Sequence, residues 1–152
     1  METRVYKTLD RSQWTHGEWD DEPDKIQWQD ATTGYPCLAV RHSYFGHWCG
    51  YVGVGPNHSV YQSDYDSVDV TVHGGLTFSS HCSASDDEST GICHAVENDD
   101  KTWWLGFDCA HHGDEAPRNT VWVEGGRYRT LSYVQHECAM LAAQLKNIKR
   151  LA

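Results

Sequence analysis

Five side chains able to bind a metal or move a proton fall within seven positions of one segment: Asp108, Cys109, His111, His112 and Asp114. They directly follow a Trp-rich stretch, Trp103 to Phe107, that reads as a strand. In an extended chain Asp108 projects to the same side as Trp104 and Gly106, and a turn after Cys109 lets His111 swing back toward it. Carboxylate and imidazole together suit Zn²⁺, Mn²⁺ or Fe²⁺, and a thiolate beside them favours Zn²⁺. The plainer alternative is a solvated loop whose Asp and His side chains cap backbone groups. With ten histidines in the chain, some clustering arises by chance.

His73-Gly74-Gly75 is the second component, because a histidine before a glycine pair leaves room for a metal or substrate to approach the backbone. If His73, Asp108 and His111 meet at one point, they supply three protein ligands and leave a fourth position open. That arrangement generates a hydroxide nucleophile at neutral pH. The expectation is therefore a metal-dependent hydrolase of a small-molecule substrate, with Zn the best-suited ion and Mn or Fe as alternatives. Asp114 is the nearest candidate general base, and Trp104 and Tyr51 are the candidate substrate contacts. Phosphoester or phosphotriester bonds are favoured over amides, since a metal polarises the P–O bond with little further acid catalysis. A non-catalytic module that stacks a nucleotide-like ligand on Trp103, Trp104 or Tyr51 is the competing reading. A third is a reactive Cys109 thiol beside His111.

Other clusters carry less. His81-Cys82 and Cys93-His94 bracket an acidic loop, but the gap between the cysteines is not that of a zinc knuckle. His47 and Cys49 share one strand face and are further candidate ligands. The acidic run Glu18, Asp20, Asp21, Glu22 and Asp24 lacks the Gly and distal Glu of a Ca²⁺ loop.

Composition bounds these options. At 152 residues the chain has the size of one domain, and seven Trp and eight Tyr predict an aromatic-rich core. Its formal charge of −10 repels phosphate backbones and anionic membrane surfaces, so neither nucleic acid nor membrane is an expected partner. No stretch approaches the roughly 20 apolar residues of a membrane span. The segment METRVYKTLDRSQW has no apolar run of the signal-peptide kind, which predicts a cytoplasmic location and six reduced cysteines.

The elements that must position these residues are mainly strands. Cys37 to His42 and Trp48 to Val54 predict a hairpin joined around Gly46. Val68, Val70 and Val72 alternate with polar residues, which predicts a strand ending at His73. A last hairpin is predicted around Gly125-Gly126, and a short N-terminal helix around Pro23. Leu131, Val134, Cys138, Leu141, Leu145 and Ile148 lie on one helical face, with Ser132 and Gln135 as a capping box and Lys146, Lys149 and Arg150 at the far end. The predicted fold is thus α+β: a mainly antiparallel sheet packed against a C-terminal amphipathic helix, in a single domain over residues 1–152.

The segments GYPCLAVRH, GHWCGYVGV, VHGGLTF, ICH, WWLGFDCAH and YVQHEC together resemble a group of small bacterial and phage proteins. The resemblance runs from about Asp20 to the end, with VHGGLTF and WWLGFDCAH its most distinctive parts. It implies a cytoplasmic, phage-related setting and carries over no catalytic residue.

Overall fold

A computed structural model describes residues 3–82, 91–92, 101–111, 113–118 and 126–148. Six strands form one antiparallel sheet: β1 (Arg4–Tyr6), β2 (Lys25–Gln29), β3 (Pro36–Arg41), β4 (Trp48–Val54), β5 (Phe78–His81) and β6 (Trp103–Asp108). Their order is β1-β2-β3-β4-β6-β5, with every neighbouring pair antiparallel. Two short parallel strands, β7 (Asp114–Glu115) and β8 (Arg127–Tyr128), form a second, small sheet. One helix, α1 (Leu131–Asn147), closes the chain. The α+β architecture expected from the sequence is the one observed.

The helix lies on β3 and β4 because those strands present small side chains to it. Ala39, Cys37 and Gly50 leave space into which Val134, Cys138, Leu141, Ala142 and Leu145 pack, all fully buried. A Cβ at Gly50 would collide with the Phe107 ring and stand 3.0 Å from the Cys138 sulfur. Leu38, Val40 and Trp104 form a separate buried cluster, joined by Tyr51, Phe78, Cys82 and Ile92.

Four local expectations are corrected. The N-terminal helix is a single 3-10 turn, Glu18–Asp21, that ends before Pro23, and the residues after Pro23 enter β2. The helix cap is Thr130, whose hydroxyl accepts the Tyr133 N–H at 3.2 Å, so α1 begins ahead of the expected Ser132 box. Glu22 adds to the same terminus: its Oε2 accepts the Leu131 N–H at 2.7 Å, where a carboxylate meets the positive end of the helix dipole. Glu22 is itself held by the buried Arg41, which also donates to the Tyr128 hydroxyl and the Gly46 carbonyl. The third correction concerns Val68, Val70 and Val72, which do not form a strand. Their alternation is real, since Val68 and Val72 are buried, but the segment lies along α1. Gln144 takes both backbone groups of Thr71 at 2.7 Å, and Glu137 accepts the His73 N–H at 2.8 Å. Helix side chains thus satisfy the backbone that a neighbouring strand would have paired. Cys93, His94, His112, Gly125, Lys149 and Arg150 lie outside the described residues.

The fourth correction is chemical. Cys82 is disulfide-bonded, whereas Cys37, Cys49, Cys109 and Cys138 are free. Alkylation of denatured, unreduced protein should therefore modify four of the six cysteines, as read by intact mass. Six modified cysteines would restore the sequence expectation. No helix among the described residues is long and apolar enough to cross a membrane.

Candidate functional site

The candidate residues converge at the end of the sheet where β6 terminates. Gly74 and Gly75, with φ of 67° and 81°, occupy the left-handed region and turn the chain from His73 toward β5. The close approach is strict at Gly74, where a Cβ would enter the His111 ring. As the spacing predicts, the chain turns after Cys109 and His111 comes back to Asp108, with His111 Nε2 3.2 Å from Asp108 Oδ1. The His73 and His111 rings stand edge to face, 6.0 Å between centroids.

The strongest interactions pass through Asp114, which is only 2 % exposed. Its Oδ2 accepts His73 Nε2 at 2.7 Å and the His111 backbone N–H at 3.1 Å, while Oδ1 accepts Arg129 Nε at 2.9 Å. Burial pushes the Asp114 carboxyl up, but the bonds from His73, Arg129 and the His111 N–H outweigh it, and the net shift is down. An ionised carboxylate only accepts, so the tautomer of His73 that fits this bond has its hydrogen on Nε2. Nδ1 is then an acceptor, and the Tyr133 hydroxyl lies 2.8 Å from it. Burial, followed by the nearby Glu137, raises the Tyr133 phenol above its ordinary range, so Tyr133 keeps its proton and donates. The result is an aligned chain: Asp114 carboxylate, His73 imidazole, Tyr133 hydroxyl. Arg129 lies 5.0 Å from the centre of the Tyr133 ring.

His73, Asp108, His111 and Asp114 are thus brought to one end of the fold. Asp114 orients His73 directly. Both nitrogens of His73 are engaged, so a metal there would have to displace Asp114 or Tyr133. Among the described residues, no three His, Cys, Asp or Glu side chains are arranged to hold a metal ion. One feature fits a ligand: His111 Nε2 is buried without a hydrogen bond, close to Asp108 but not aligned with it. Asp108 Oδ2 instead accepts the Thr77 hydroxyl at 3.1 Å.

The expected substrate contacts sit elsewhere. Trp104 is 1 % exposed, so neither ring face is open to a stacked ligand, and Tyr51 is half-buried edge-on against Phe78. Cys109 is 2 % exposed and its thiol is pushed far up, by burial first and then by Asp114, which works against a reactive thiolate. Cys49 is likewise pushed up to about 12 by burial.

Tyr133, Arg129 and Glu137 complete the site, and reading the helix only as a packing element had passed over them. Arg129-Thr130 with Tyr133 just inside a helix start was the available signal, since residues flanking a cap project from the end of an element.

His47 borders the same end. Burial first, then the stacked His42 ring, lowers it from 6.5 to about 4, against the opposing pull of Asp108 and Asp114. Its folded value lies below its unfolded one, so the unfolded chain binds the extra proton between them. Stability should fall as pH drops through 6.5 and level off below about 4. Each unit of separation corresponds to about 1.4 kcal/mol. Denaturant melts across this window check it: His47→Phe should flatten the slope, and an unaltered slope would remove His47 as the cause.

Comparison of the chain with protein-family models, with curated proteins and with solved structures finds no match. Its function is therefore read from the geometry of the site.

Proposed function

We propose that the chain is an ester hydrolase in which His73, oriented by Asp114, is the general base and Tyr133 carries the proton to it. One observation carries this reading: the unbroken alignment of Asp114 Oδ2, His73 and Tyr133 Oη through bonds of 2.7 and 2.8 Å. A base held in one tautomer by a buried carboxylate is the arrangement that activates an attacking oxygen in acyl transfer. A water oxygen forms the bond to the carbonyl or phosphorus centre and passes its proton to the Tyr133 oxygen, as Tyr133 passes its own to His73 Nδ1. The proton then returns through Tyr133 to the leaving oxygen as its bond breaks, so ester and water become acid and alcohol. Arg129, fixed by Asp114, places positive charge beside the oxyanion that develops.

Tyr133→Phe tests the relay because it removes the hydroxyl and keeps the ring. kcat on activated para-nitrophenyl esters should fall by about 10²-fold or more, with KM little changed. Equal kcat in the two proteins would remove Tyr133 from the mechanism.

The buried, unbonded His111 Nε2 favours a second reading, the metal-dependent hydrolase. Asp108 and His111 would be two ligands, with His73 as a third after releasing one partner, and Zn the best-suited ion. That reading expects Asp108→Ala and His111→Ala to abolish activity together with metal content. The first reading expects activity to survive Asp108→Ala. We further propose a small-molecule substrate and a cytoplasmic location, the latter supported by the four free thiols and opposed by the disulfide at Cys82.

A further inference from the structure

A groove of about 540 Å³ runs between the segment ending at His73 and the exposed face of α1. Its walls include Thr71 and Val72 on one side and His136, Glu137 and Met140 on the other, and His73 forms part of its lining. The volume falls within the usual range of small-ligand pockets. Two properties select what it holds. The first is charge: the lining has one carboxylate, Glu137, and neither Lys nor Arg, in a chain of formal charge −10. Glu137 Oε1 is already bonded to the His73 N–H, which holds that carboxylate beside His73 in the groove wall. An anionic group there would meet the Glu137 carboxylate with no Lys or Arg to offset it. The second is the apolar surface. Met140 is 50 % exposed on an otherwise polar helix face, and an unbranched thioether adapts to varied aliphatic partners.

We propose that this groove binds the uncharged aliphatic acyl part of the substrate, which makes the chain a hydrolase of neutral carboxylic esters rather than of phosphoesters. The assignment rests on the hydrolase reading for the reaction, but its binding half stands on the groove alone. Phosphoester chemistry, expected when a metal is taken to lead the reaction, is disfavoured here because the groove offers a phosphate a carboxylate and neither Lys nor Arg.

Binding can be measured without turnover. Heteronuclear NMR titration with N-methylbutyramide, a neutral and slowly hydrolysed analogue of a butyrate ester, should shift the Met140 methyl and the His136 and Thr71 signals, whereas diethyl phosphate should leave them in place. Met140→Glu changes a half-exposed side chain, so folding is retained. It should weaken the amide by about tenfold and raise KM for para-nitrophenyl butyrate by a similar factor at unchanged kcat. Shifts with the phosphate and none with the amide would overturn the proposal, as would a KM for butyrate indifferent to Met140→Glu. Amide binding at Met140 in a protein that hydrolyses no ester would instead refute the hydrolase reading and leave the groove assignment intact.

Discussion

Replacing His73 by glutamine is expected to lower kcat/KM on activated esters by about 10²–10⁴-fold, the range that a positioned general base supplies. Glutamine still donates to Asp114 and fills most of the ring's space, so the buried carboxylate stays paired and folding is little affected. It cannot take up a proton. The loss should therefore appear in kcat with melting temperature within a few degrees of the parent protein. His16→Ala, at a side chain that is 94 % exposed and remote from this chemistry, should change neither. Full activity in the glutamine variant would place the reaction elsewhere, and a large fall in melting temperature would recast His73 as a structural bridge between Asp114 and Tyr133.

The largest effect on stability is expected at Leu141→Asp. Leu141 is fully buried in the face of α1 that packs on the sheet, in the same apolar cluster as Cys37, Ala39, Val134 and Leu145. An aspartate there either buries an unpaired charge or binds a proton at neutral pH, and it also forfeits the packing of the leucine. The expected cost is about 4 kcal/mol or more. Met140→Asp, one residue away but half-exposed, should stay within about 0.5 kcal/mol. Because Tyr133 sits in the first turns of the same helix, Leu141→Asp should also lose activity in step with its folded fraction. Similar denaturant midpoints for the two variants would mean that α1 does not pack through Leu141.

The parts of the fold legible in the sequence are those whose pattern answers to their own element. β3, β4 and β6 are runs rich in apolar residues bounded by turns, and α1 has a clean apolar stripe with buried Val134, Cys138, Leu141 and Leu145. β2 was illegible because its fully buried positions are the polar Lys25 and Gln27, on the sheet face shared with Leu38 and Val40, while Ile26 and Trp28, which pack on the main core, are only partly buried. Val68, Val70 and Val72 differ for the opposite reason: the alternation reports a segment buried on one side, and one-sided burial does not say whether the neighbour is a strand or a helix. The bonds of Thr71 to Gln144 decide it, and they join residues 73 positions apart. The site followed the same rule. His73, Asp108, His111 and Asp114 could be named from type and flanking glycines, and the return of His111 to Asp108 is local, three residues along the chain. The partnership of His73 with Asp114 and Tyr133 spans 41 and 60 residues. It exists only because α1 docks on β3 and β4, so no spacing rule could have assigned Asp114 to orient His73 or given Tyr133 a role.

The measurement that bears most directly on the central claim is the rate of para-nitrophenyl butyrate hydrolysis by the wild-type chain before and after exhaustive dialysis against chelator, with elemental analysis of the same samples. An Asp114–His73–Tyr133 relay predicts hydrolysis well above the uncatalysed rate that is unchanged by chelation and independent of metal content. Hydrolysis that vanishes with the metal and returns on adding zinc would contradict the relay and transfer the chemistry to Asp108 and His111, and no hydrolysis in either sample would contradict the enzyme itself.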